Sequence, residues 1–327
     1  MQKHRFWQPS IKIIFAEELA AETEKYELLP WHSGERTLKE LPPLLRHHLI
    51  ACGYAGKESV VCCQIRWKNT FLKFRPKGEW KSTAFLQVNF VPDPARLVLM
   101  RTCLWGLFSF AARDKYQTGK GNMLIRLLGR LTLSEDNGRK MDQAELVTIL
   151  AETMILPVYA LQPYTTWETV DKTTVKGTIR HGDVTASGLF HFNEQGLLCR
   201  FETEDRYYAV NGRYHAYRWT TEVTNYIRRG DLSFPSSYRA AWQLPGGAYD
   251  YFKGELSRLE FNSTILADSL YLRPVGQAEN TGHEKPKQDT VDLVEHSQPD
   301  VTLGTAIQQA TDTENGLDDQ EQQRVAS

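Results

Sequence analysis

A chain of 327 residues, 41% apolar and 11% aromatic, can bury a sizeable core, which excludes a wholly disordered protein. Its net charge of −1 is unevenly spread: eleven Asp or Glu and three Lys or Arg between Val275 and Ser327 give that stretch −8 and leave the remainder at +7. No dense Lys/Arg block accompanies the basic excess, so nucleic acid is not an expected partner, and no run of about 18 apolar residues is present to span a membrane as a helix.

Met1 to Ser10 is polar and aromatic, and the apolar stretch Ile11 to Ala16 is too short for the apolar region of a secretory signal, so the cytoplasm is the expected compartment. Phe15, Leu19, Tyr26 and Leu29 fall at helical spacing and predict an amphipathic helix. A second helix is predicted from about Pro42, carrying Leu41, Leu44, Leu45 and Leu49 and stopping at Gly53. Cys62 and Cys63 are neighbours in a predicted strand, with side chains on opposite faces. The five cysteines (Cys52, Cys62, Cys63, Cys103 and Cys199) are odd in number and fit reduced thiols better than a disulfide framework.

The apolar period then drops to two. Ala84, Leu86, Val88 and Phe90 alternate with polar residues, as do Met123, Ile125, Leu127, Leu131 and Leu133, which predicts half-buried antiparallel strands. The longest apolar run, Cys103 to Ala112, fits one buried strand. A third helix is expected to start at Asp142 as its cap, with Glu145 reaching back to it, and to end before Pro157. Val175 to Thr203 reads as a three-stranded meander, turned at His181-Gly182-Asp183 and at Asn193-Glu194-Gln195-Gly196. Further strands are predicted at Tyr217–Tyr226, Tyr238–Leu244 and Tyr251–Phe261. After Pro274 there is no aromatic residue, and the composition predicts disorder. The expected division is a helical lead-in over residues 1–37, one α+β domain over 38–274 and an acidic tail over 275–327.

Asp is depleted in strands, so Asp114 next to Arg113 needs a reason, either a carboxylate in a cleft or an ion pair at a strand end. Strand neighbours face opposite ways, so each is expected to pair elsewhere. Glu145 and Glu152 lie seven apart on one helix face and could serve acid–base chemistry, as could Asp114 and Asp171; these four are the catalytic candidates. Arg113, Trp167, Arg206, Tyr207, Trp219 and Trp242 are the ligand-binding candidates, against the plainer reading of tryptophans that close a core. Gly119-Lys120-Gly121 lacks the pattern of a phosphate loop and is read as a strand turn. The histidines show no metal-ligand spacing, so no metal and no cofactor are expected. No nucleophile elbow or Cys/His signature is present.

A set of residues resembles a family signature: Arg113-Asp114-Lys115-Tyr116, Gly119 to Met123, Asp142 to Leu146 leading into Leu150-Ala151-Glu152, and Trp167 to Asp171. It continues through Phe192 to Gly196, Arg206-Tyr207, Trp219, Pro235, Trp242 and Phe261-Asn262. The ordered set, over Leu38 to Asn262, is similar to the bacterial domain-of-unknown-function family 6544. Two places depart from it: Ile155 stands where the family has an aromatic residue, and Leu97–Trp105 matches poorly. The resemblance implies a fold and a bacterial origin but no activity.

Many antiparallel strands with few helices predict an α+β fold in which one curved, half-barrel-like sheet is covered by helices. By analogy the layout is similar to the half-barrel of bacterial lipoprotein carriers. Aromatic residues at inward positions (Phe190, Phe192, Trp219, Trp242, Tyr251 and Phe261) favour binding of an apolar or amphipathic, lipid-like molecule between sheet and helices. A hydrolase or isomerase using a carboxylate pair is the alternative, and a structural or protein-interaction role the third.

Overall fold

The alternation of period two continues through most of the chain, and the computed structural model pairs those segments into one sheet. It describes residues 9–27, 36–57, 59–104, 108–210 and 213–262. The acidic stretch 275–327 and Leu29 lie outside the described residues.

The first half supplies β1 (Cys62–Leu72), β2 (Lys81–Phe90), β3 (Ala95–Leu104), β4 (Phe108–Gln117), β5 (Lys120–Leu127) and β6 (Leu131–Asn137). The second supplies β7 (Thr165–Thr169), β8 (Thr174–His181), β9 (Val184–Phe192) and β10 (Leu198–Thr203), then a small ribbon of β11 (Tyr208–Val210) and β12 (Arg213–His215). The long strands β13 (Trp219–Arg229), β14 (Leu232–Leu244) and β15 (Gly247–Phe261) complete it. Among the described residues, thirteen strands form a single sheet in the order β6-β5-β4-β3-β2-β1-β15-β14-β13-β10-β9-β8-β7, every neighbouring pair antiparallel.

β4 and β8 stand nine places apart in that order, yet Tyr116 Oη lies 2.9 Å from His181 Nδ1. Flat, strands nine places apart would be separated by about 43 Å at the usual inter-strand spacing. The sheet must therefore curl until its two ends approach. The helix α3 (Arg139–Ala151) lies inside that curl, touching β5 and β9 alike, so its side of the sheet is the concave one. α1 (Ile11–Glu27) packs Ile11, Phe15, Leu19 and Tyr26 on the opposite, convex face, against Leu86, Val88, Leu97 and Leu99. α2 (Pro43–Ala51) buries Leu45, His48 and Leu49, with Leu45 and Leu49 in the main core. It terminates at Gly53, whose φ is +80°, with Gly53 N–H donating to Ile50 O (3.0 Å) and Tyr54 N–H to Leu49 O (2.9 Å). That pair of bonds is a Schellman cap. No helix among the described residues is long and apolar enough to cross a membrane.

Three expectations are corrected. Cys103 to Ala112 is not one strand but the end of β3 and the start of β4, paired as a hairpin, with 105–107 outside the described residues. α3 begins three residues before Asp142, after Gly138, so Asp142 and Glu145 sit within the helix and cap nothing. Asp142 instead accepts Gly121 N–H (2.8 Å) and pairs with Lys120 (3.1 Å). Finally, β2 is not half-buried over its second half: Leu86, Val88 and Phe90 face α1, while the polar alternates Gln87 and Asn89 are equally buried on the concave side.

Candidate functional site

Two strand pairings build the floor of the concave face. Asn89 of β2 stands opposite Arg96 of β3, and Arg96 opposite Tyr116 of β4. One rung along, Gln87 faces Val98, and Val98 faces Asp114. Side chains two apart on a strand share a face, so Gln87, Asn89, Arg96 and Asp114 project together. From above, α3 presents Glu145, and the 3-10 turn that continues it presents Glu152, two helical turns further on.

These groups meet at Arg96. Its guanidinium donates to Asp114 Oδ2 (2.7 Å), Glu145 Oε2 (3.1 Å) and Glu152 Oε1 (2.8 Å). Glu152 is further held by Gln87 (2.9 Å) and Asn89 (2.6 Å), and Gln87 in turn accepts Trp67 Nε1–H (2.8 Å). Arg96, Asp114, Glu145 and Glu152 are all buried, at 8%, 7%, 1% and 4% exposure. Arg206, from the segment after β10, lies over the Trp219 ring at 4.7 Å, donates to Ala144 O (2.9 Å) and Thr148 Oγ1, and comes within 3.9 Å of Glu145.

Five charged groups thus share one interior, three carboxylates against two guanidinium groups. Burial pushes the Glu145 carboxyl up to about 8, aided by the charge of Asp114 and opposed by Arg96 and Arg206. A protonated Glu145 leaves the cluster neutral. Folded Glu145 keeps a proton that the unfolded chain has lost, so its contribution to stability falls as pH rises from about 4.5 through about 8. Buried His48, pushed down to about 3, works in the opposite sense up to its ordinary 6.5. The window from pH 6.5 to 8 therefore isolates Glu145. Over that window unfolding free energy measured by denaturant titration should drop by on the order of 1–2 kcal/mol, and hardly at all in Glu145→Gln. A wild-type profile that is flat or rises there contradicts the assignment.

Beside the cluster the core is not filled. A cavity of about 360 Å³ lies between α3 and the concave face. Its walls include Trp67, Phe85, Trp219, Trp242, Tyr249 and Phe252, and Arg96, Asp114, Glu145 and Glu152 form its polar floor. Residues of β6, Lys140 and the ribbon residue Tyr214 also line it, and Lys140 sits over the Tyr207 and Tyr214 rings at 4.9 and 4.6 Å.

Of the residues singled out in the sequence, Asp114, Glu145, Glu152, Arg206, Tyr207, Trp219 and Trp242 all line this cavity. Three lie elsewhere. Arg113 points to the convex face, 3.0 Å from Glu18 of α1. Trp167 packs edge-on to Phe190 at 5.2 Å and donates to Ala160 O (3.1 Å), closing core. Asp171 is exposed in the turn before β8, accepting Thr173 N–H (2.7 Å). Of the inward aromatics, Tyr251 also lines the cavity, whereas Phe190 and Phe192 are buried in packed core and Phe261 lies against Tyr54. Arg96, Gln87 and Asn89 were not anticipated. Their signal is their shared face with Asp114, visible only once the β2–β3–β4 register is known. Among the described residues, no three His, Cys, Asp or Glu side chains are placed to share a metal ion.

Comparison with known proteins adds a family and one loose structural likeness. No curated protein matches the chain. Among solved structures, a LolA superfamily protein from Nitrosomonas europaea is similar at 11% identity, covering 65% of this chain and 89% of that one with a TM-score of 0.28. A superposition that loose says nothing of the cavity or its contents. The profile of a family of unknown function, DUF6544, matches residues 32–254, which include α2, α3, every strand from β1 to β14 and the whole cluster around Arg96, and the chain belongs to that family.

Proposed function

We propose that the protein binds an amphipathic small molecule in the cavity between the curved sheet and α3. The observation that supports this most is the cavity itself. Protein interiors are close-packed, with few voids larger than a water molecule. Beside Arg96 about 360 Å³ stays unfilled, room for roughly a dozen water-sized groups. That size, with apolar walls and a few convergent polar groups, is the usual character of a small-molecule site. An apolar tail would replace water against Trp67, Phe85 and Phe252, and a polar head would reach the charged floor. The cytoplasm remains the proposed compartment, supported by five cysteines that are all unpaired.

A second reading, a hydrolase or isomerase, is favoured by one feature: Glu145, held protonated, shares the cavity with the carboxylates of Asp114 and Glu152. It ranks behind binding because Arg96 already engages all three. Native mass spectrometry of the protein purified from its own host, followed by solvent extraction, tests the binding reading. A retained small apolar mass is expected, and it should be absent from Ala240→Phe, which fills the cavity from β14. A wild-type chain that never carries such a mass, even after incubation with lipid extract, opposes it.

A further inference from the structure

The charge on the cavity wall favours one kind of head group. Four cations line it, Lys73, Arg96, Lys140 and Arg206, and five carboxylates, Asp114, Glu135, Asp136, Glu145 and Glu152. Every one of the cations is engaged. Lys73 lies over the Trp80 ring at 4.7 Å, Lys140 over two tyrosine rings, Arg206 over Trp219, and Arg96 against three carboxylates. The two carboxylates of β6 are engaged too: Glu135 accepts Asn122 Nδ2–H (3.0 Å) and Asp136 accepts Tyr214 Oη–H (3.3 Å).

Asp114 differs. Its Oδ2 takes Arg96, but its Oδ1 has no hydrogen-bond partner, although the residue is only 7% exposed. Among the described residues, it is the one buried side-chain polar atom without a partner that belongs to a residue of the cavity wall. A buried carboxylate oxygen left without a donor is costly, and such groups in native proteins call for an explanation. A donor entering the cavity supplies it. A cationic donor supplies more: its charge meets the Asp114 carboxylate, and the aromatic side chains of the cavity wall suit an alkylammonium.

We propose that the cavity selects an amphipathic amine, its ammonium donating to Asp114 Oδ1 and its alkyl or aromatic tail lying among Trp67, Phe85, Trp242 and Phe252. This rests on the binding reading above and names the chemistry of the head group. A carboxylate-headed amphipath would place like charge against Asp114 and Glu152, and a neutral alcohol would gain one hydrogen bond without the charge.

Three ten-carbon probes that differ only at the head separate these cases: decylamine, decanol and decanoate, titrated calorimetrically into the full chain at pH 7 below their aggregation limits. Decylamine should bind tenfold or more tighter than decanol, the range of a hydrogen bond to a charged group, with decanoate weakest. In Asp114→Asn the ratio of decylamine to decanol affinity should fall to within about twofold. Should that variant fail to fold, the wild-type ranking decides without it. Decanol binding as tightly as decylamine, or decanoate binding tightest, overturns the amine assignment while leaving the cavity reading intact. No binding by any of the three overturns both.

Discussion

Arg96→Met should cost about 4 kcal/mol or more at pH 7, because it keeps the side-chain volume and removes the cation that three buried carboxylates share. Breaking a buried ion pair from one side is far more damaging than deleting it whole, since the partner charges stay behind. Here the charges left behind are those of Asp114 and Glu152, beside the protonated Glu145, and all three residues are under 10% exposed. Thermal unfolding should move down by roughly 10 °C or more for a domain of this size. Part of the loss should return near pH 5, where the abandoned carboxylates can take up protons, and that recovery separates lost charge balance from lost packing. Arg96→Lys should not restore stability, because an ammonium cannot match the planar fork that reaches three partners. A Met variant within 1 kcal/mol of wild type at pH 7 would mean that Arg96 does not organise the floor of the cavity.

Gly53→Ala should lose about 3 kcal/mol, an effect far larger than its single methyl group. Two costs combine at this position. Gly53 holds a φ of +80°, a conformation that disfavours any Cβ by about 1 kcal/mol. An added Cβ would also run into the backbone carbonyl of Asp231, in the turn between β13 and β14. Relief requires shifting that hairpin, and its next residues are tied to the same helix end: Ser233 N–H donates to Cys52 O (3.0 Å). The loss should appear as faster unfolding of the α2 end, measured by hydrogen exchange at Leu49 and Tyr54. An alanine variant as stable as wild type would show that α2 is not fixed against β14 in this way.

How much of this could be read beforehand differs between the two halves of the chain. The meander β8–β10 was legible because its apolar residues alternate and its second turn carries Asn and Gly at the positions a type I turn favours; Gly196 N–H indeed donates to Asn193 O at 2.9 Å. β2 shows the opposite case. Its period of two is correct, but both faces are covered, by α1 on one side and by α3 with the turn after it on the other, so its polar alternates point inward to the site rather than to water. Polarity reports solvent only when one face of a sheet is free. The spacing of Asp142 and Glu145 fits a capping box, yet β6 ends at Asn137 and α3 starts at Arg139, which carries both carboxylates inside the helix and aims Glu145 at Arg96. Asp114, Glu145, Arg206, Trp219 and Trp242 drew notice one by one through residue type and neighbours. Their convergence depends on strands from distant parts of the chain curling round one helix, which local patterns do not encode.

Calorimetric titration of decanol into the full chain and into Ala240→Phe, at several temperatures, tests the central claim most directly. The cavity reading predicts one site per chain in the wild type, a negative heat-capacity change from burial of apolar surface, and loss of binding in the filled variant while its unfolding temperature stays near wild type. Decanol binding unchanged by Ala240→Phe, or no binding to the wild type, would contradict it.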